Sequence, residues 1–87
     1  MTTQEDFDVA KGAVENLATI PDTDDLLSLY GLYKQATAGD VVAARPGKLD
    51  FKGRAKYDAW AVRKGMTAEV AMREYVSLVN RLKSKGA

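Results

Sequence analysis

Apolar side chains recur every three or four residues along most of this chain, and the rhythm fails only between residues 39 and 52. That period fits one face of an α-helix and rules against strands, which alternate every two residues. Phe7, Ala10, Val14 and Leu17 form one such stripe, predicting a first helix over roughly Glu5–Leu17, with Asp6 and Asp8 favouring its positive end. Pro21 interrupts. Asp22 or Thr23 can cap a second helix that carries Leu26, Leu29, Tyr30 and Tyr33 on one face, widened by Leu27, and stops near Gly39. A third helix is expected from about Gly53 to before Gly65, with Ala55, Ala59, Trp60 and Val62 inward. A fourth opens at Thr67 as N-cap, turns Val70, Ala71, Tyr75, Val79 and Leu82 inward, and ends among Lys83, Lys85 and Gly86. The expectation is an all-α fold: one domain over residues 1–87, a four-helix bundle with a long loop between the second and third helices. Phe51, Pro46 and Leu49 are expected to fasten that loop to the bundle.

Composition then narrows the function. The 87 residues include no cysteine and no histidine. Disulfides and thiolate metal sites are excluded, and so is the usual general base near neutral pH. No nucleophile–base pair stands out, so the chain reads as a non-enzyme with no catalytic residue, no cofactor and no metal. The acidic pairs Asp6/Asp8 and Asp24/Asp25 read as helix-start residues, and Gly47-Lys48-Leu49-Asp50 lacks a phosphate-loop pattern. No apolar run approaches the ~18–20 residues needed to cross a bilayer. The polar start MTTQEDFD is unlike a signal or transit peptide, so the expected compartment is the cytoplasm.

Charge is uneven although the net value is +1. Residues 1–25 hold seven acidic side chains and one basic, Lys11; residues 41–65 hold seven basic side chains against Asp50 and Asp58. So small a net charge argues against nucleic-acid binding. It leaves two readings open: a binder of a phosphorylated, ring-bearing small molecule, or a helical protein-interaction module without such a ligand. The local pattern favours the first. Tyr30 and Tyr33 share a helical face, and Lys34 lies one turn after Tyr30. Across the loop, Lys52 and Lys56 are also four apart. Lysines from two helices beside phenol hydroxyls make a charge-assisted phosphate cradle, with aromatic faces left for a ring. Trp60 reads as a core or pocket-wall residue.

The words YGLYKQATAGD at 30–40, RPG at 45–47 and LDFKGRAKYDAW at 49–60, followed by a tyrosine in the last helix, resemble the acyl-CoA-binding protein family. The resemblance runs from about Phe7 to the C-terminal lysines. It implies a four-helix bundle with a long second loop and a carrier of long-chain fatty acyl-CoA, acting as an intracellular pool buffer and as a monomer. It also implies ligand contacts at Tyr30, Tyr33, Lys34, Lys52, Lys56 and Tyr75. By the same resemblance, Lys34 and Lys56, helped by Tyr30, hold the 3′-phosphate of the CoA ribose. Tyr33 supplies a surface for adenine and Tyr75 closes the site. Two positions depart from the family pattern. Glu15 stands where relatives often carry a phosphate-binding lysine, with Lys11 one turn earlier able to pair with it. Tyr57 stands where tryptophan is usual.

Overall fold

The computed structural model describes residues 2–85. Four helices follow one another: α1 (Thr3–Val14), α2 (Thr23–Ala38), α3 (Phe51–Ala61) and α4 (Ala68–Lys85). No strand occurs among the described residues. α4 lies between α1 and α2, and α3 packs on the other side of α2. The array is accordingly flat, 38 × 27 × 15 Å.

Local chemistry sets the helix ends. α1 starts earlier than expected because Thr2 and Glu5 form a capping box: the Thr2 hydroxyl accepts from the Glu5 amide at 3.1 Å, and Glu5 accepts from the Thr2 amide at 3.0 Å. It also ends earlier, at Val14, yet Leu17 beyond it still packs on the core. Asp22, not Thr23, caps α2 by accepting from the Asp25 amide. Gly39, at φ +80°, ends it, a conformation that favours glycine. α3 begins at Phe51 because the Asp50 carboxylate accepts from the Gly53 amide at 2.9 Å. Thr67 does cap α4, its hydroxyl accepting from Val70. The expected stop at Gly86 lies outside the described residues.

The core joins Phe7 and Ala10 of α1, Leu29, Leu32 and Ala36 of α2, and Ala71, Tyr75, Leu78, Val79 and Leu82 of α4. α3 contributes no buried residue. Its expected inward residue Val62 is 75% exposed, because α3 has a single helix neighbour and Val62 caps its far end. Leu26 and Val70, also expected inward, stand 43% and 40% exposed near the starts of α2 and α4.

The loop 39–50 is tied down by polar contacts, and of the three residues expected to fasten it only Pro46 takes part, through its carbonyl. Leu49 and Phe51 are largely in solvent. Val41 is the loop residue that is buried. Arg45 grips Asp58 through two hydrogen bonds of 3.0 and 2.8 Å, and Arg54 donates to the Pro46 carbonyl. Buried Gln35 donates from one amide nitrogen to Asp40 and to the Met66 carbonyl, 2.8 Å each. Asp40 also accepts from the Gly65 amide at 2.7 Å. Asp40 therefore joins the end of α2 to the α3–α4 turn.

These contacts hold two carboxyls below their ordinary range. For Asp40 the Gly65 amide is the main cause, followed by Gln35. For Asp58 the main cause is its hydrogen bonding with Arg45. A carboxyl depressed in the folded state contributes its full stability above the unfolded value, ordinarily 3.8, and loses it as pH falls through the folded value. In an NMR titration both carboxyls should therefore stay ionised below that ordinary value. Protection of the Gly65 amide should be lost together with Asp40 protonation. Titration of both at the ordinary value would show that the loop is not held by these bonds.

Candidate functional site

Five of the six expected site residues fall in two aromatic–cationic groups, and the sixth, Lys52, stands beside the first of them. On the α2–α3 side, the Lys34 ammonium lies 4.9 Å from the centroid of the Trp60 ring. The Lys56 ammonium lies 5.4 Å from that of Tyr30. These two pairings interlock, each sending one lysine across to the other helix. Trp60 is fixed in turn by its indole N–H, which donates to the Gly39 carbonyl at 2.8 Å. Lys52 lies one turn before Lys56 on the same face and is exposed, without an ion pair among the described residues.

On the other side, Tyr33, Phe7 and Tyr75 form a row linking α2, α1 and α4. Phe7 stacks on Tyr33 at 6.3 Å and meets Tyr75 edge-on at 5.0 Å. Tyr33 is 40% exposed, so part of it remains accessible. Tyr75 is buried, and burial pushes its phenol above the ordinary value, with nearby Tyr33 adding to the effect. Tyr30, Tyr33 and Lys34, within one turn of α2, connect the two groups.

Lys11 is within sequence reach of Glu15 but turns the other way. It pairs with Asp8 at 3.2 Å, and not with Glu15. Its ammonium sits 4.8 Å over the Phe7 ring and 6.0 Å from the Tyr33 ring. α1 therefore brings a cation to the edge of the aromatic row, whereas Glu15 caps the end of α1 in solvent. The signal for Lys11 was its position four residues after Phe7, on the same helical face. Trp60 as the seat of Lys34 had no local signal, because the two belong to different helices.

The close approach of α2 and α3 comes from Gly31. A Cβ built there would overlap the Ala59 carbonyl oxygen. Only a residue without a side chain lets the backbones come this near.

Chemically, the arrangement offers ammonium groups resting on rings. Such pairings contribute about 0.5–1 kcal/mol at exposed sites. A charge-assisted hydrogen bond contributes about 1.5–3 kcal/mol. An ammonium that exchanged its ring for a phosphate would therefore gain, and the aromatic face would be left available. Among the described residues, no cluster of three or more carboxylates could hold a metal ion.

Comparison with known proteins gives the family and the fold. The family model "Acyl CoA binding protein" matches residues 4–79. An acyl-CoA-binding protein homolog of Manduca sexta is 49% identical over 83 residues, covering 94% of this chain and 92% of the relative. The crystal structure of Oryza sativa acyl-CoA-binding protein 2 superposes with a TM-score of 0.91 at 39% identity, covering 97% of this chain and 93% of that one. The solution structure of the yeast acyl coenzyme A binding protein gives 0.71 at 46% identity, over 92% and 93%. The chain belongs to the acyl-CoA-binding protein family.

Proposed function

We propose that this chain binds long-chain fatty acyl-CoA and serves as its carrier and pool buffer, working as a monomeric single domain over residues 1–87 in the cytoplasm and catalysing no reaction on the thioester. The observation that carries this reading is the interlocked pair Lys34–Trp60 and Lys56–Tyr30, two cations and two rings from two helices within one turn of each other. Family membership and the names of the relatives support the same ligand class. Among the described residues no helix is long and apolar enough to cross a membrane.

In this reading Lys34 and Lys56, with Tyr30, take the 3′-phosphate. Tyr33 offers its accessible part to adenine, Lys52 extends the cationic side of the site, and Tyr75 closes it from α4. Partial burial of the acyl chain, at about 0.8 kcal/mol per methylene, supplies the rest of the affinity.

Titration calorimetry tests the reading. A long-chain acyl-CoA should bind far more tightly than CoA, and free fatty acid should bind poorly for want of the phosphate anchor. Equal affinity for CoA and its long-chain thioester would sink the carrier reading. Lys34→Ala and Lys56→Ala should each weaken binding of the thioester by about 1.5–3 kcal/mol. Neither should lose comparable affinity for a ligand without the 3′-phosphate. If the relative loss is the same for both ligands, the lysines do not hold that phosphate.

A further inference from the structure

The junction between the loop and α3 carries two apolar side chains that neither the fold nor the proposed site uses, next to Lys52 at the edge of that site. Leu49 is 91% exposed and Phe51 76%. An apolar residue just before an N-cap ordinarily packs on the fourth residue of the helix. Here Asp50 is the N-cap, so that residue is Arg54, whose guanidinium turns back to the Pro46 carbonyl at 2.9 Å. Leu49 therefore finds no apolar partner where helix starts normally provide one. Phe51, the first residue of α3, is left in water beside it in sequence.

Cations flank the same two residues. Lys48 and Lys52 form no ion pair among the described residues. Of the acids of the region, Asp58 is paired with Arg45, and Asp50 keeps its charge but turns it onto the positive start of α3 as the N-cap. The arginines are engaged as well, Arg45 with Asp58, Arg54 with Pro46 and Arg63 with Glu74. What stays free is lysine, a mobile point charge, and not the planar fork suited to a protein carboxylate. Two apolar side chains also fall far short of the core of a stable protein interface, which buries about 1,200–2,000 Å² in total. They suffice to enter a headgroup layer while lysines lie against a diffuse anionic surface. The seven carboxylates of residues 1–25 are repelled by such a surface, which orients the molecule.

We propose that the segment Lys48–Lys52 docks this protein on an anionic lipid surface, with Leu49 and Phe51 entering the headgroup layer and Lys48 and Lys52 against lipid phosphates. Lys52 is one turn from Lys56, so docking brings the α2–α3 side of the molecule to the surface where a lipid-derived ligand is exchanged. The docking itself needs no ligand.

The test uses the ligand-free chain and vesicles of equimolar phosphatidylserine and phosphatidylcholine, with phosphatidylcholine alone as control. At low ionic strength the protein should sediment with the anionic vesicles only, and high salt should release it. Lys48→Glu should lower partitioning at least about tenfold, since it reverses one surface charge. Leu49→Ser should lower it severalfold. Both residues lie outside the proposed ligand contacts and are exposed, so helix content and acyl-CoA affinity in solution should not change. The proposal is overturned if the wild type stays in the supernatant with anionic vesicles at low salt. It is equally overturned if both variants bind like the wild type. Binding to an acidic polypeptide such as polyglutamate without vesicle binding would assign the patch to a protein partner instead.

Discussion

Phe7→Ala is expected to lower stability by about 3–5 kcal/mol. Phe7 is completely buried and is the aromatic centre of the molecule. It stacks on Tyr33, meets Tyr75 edge-on and lies under the Lys11 ammonium, so its removal strips contacts from α1, α2 and α4 together. At about 0.05–0.15 kcal/mol per residue, 87 residues carry a total stability of only roughly 4–13 kcal/mol. The variant should therefore be marginal, with a melting temperature lower by more than about 10 °C. Phe7→Leu, which keeps most of the volume but not the ring, should cost less than about 1.5 kcal/mol. Urea unfolding followed by circular dichroism measures both. A loss below about 1 kcal/mol for Phe7→Ala would mean that the bundle closes over the vacated space, and that this ring does not join its three helices.

Gly31→Ala should damage the site more than the fold. Alanine improves helix propensity over glycine by about 0.8–1 kcal/mol. The added Cβ, however, overlaps the Ala59 carbonyl of α3, and a backbone cannot rotate aside as a side chain can. Overpacking of this kind costs about 1–3 kcal/mol, and the contact is close enough to expect the upper end. The outcome is a net destabilisation together with displacement of α3 from α2. Lys56 then leaves Tyr30, and Trp60 leaves Lys34, so the proposed acyl-CoA affinity falls even where the protein remains folded. Gly12→Ala provides the contrast. Gly12 sits inside α1 with nothing within 4 Å of a built Cβ, so the same change there should stabilise by about 0.5–1 kcal/mol and leave binding alone. If Gly31→Ala binds and folds like the wild type, α3 has slack in its seat on α2.

Much of this could be read from the chain because it is local. Helix type and number follow from a period of three to four, which any segment expresses without its neighbours. The adjacency of Tyr30, Tyr33 and Lys34 is equally local, since residues three and four apart face the same way on α2. Caps are legible in part: Thr67 and Gly39 stand at the ends that the periodicity marks, whereas the Thr2–Glu5 box and Asp50 lie outside the apolar stripes and start α1 and α3 earlier than those stripes imply.

Tertiary structure alone decided the rest. An apolar stripe says which face is inward but not how much of it is covered; that depends on the number of neighbouring helices. α4 has two neighbours and buries five residues, while α3 has one and buries none, so Val62 remains in solvent. The loop followed the same logic. Apolar character points to Phe51, Pro46 and Leu49 as its anchors, yet only Pro46 is held, by its carbonyl, and the other polar anchors depend on partners distant in sequence: Arg45 on Asp58, Trp60 on Gly39, Asp40 on Gly65. No periodicity announces such pairs, because each forms only after the helices that carry them have met. The meeting of Lys34 with Trp60 and of Lys56 with Tyr30 is of this kind, and it rests on the absence of a side chain at Gly31 where α2 crosses Ala59.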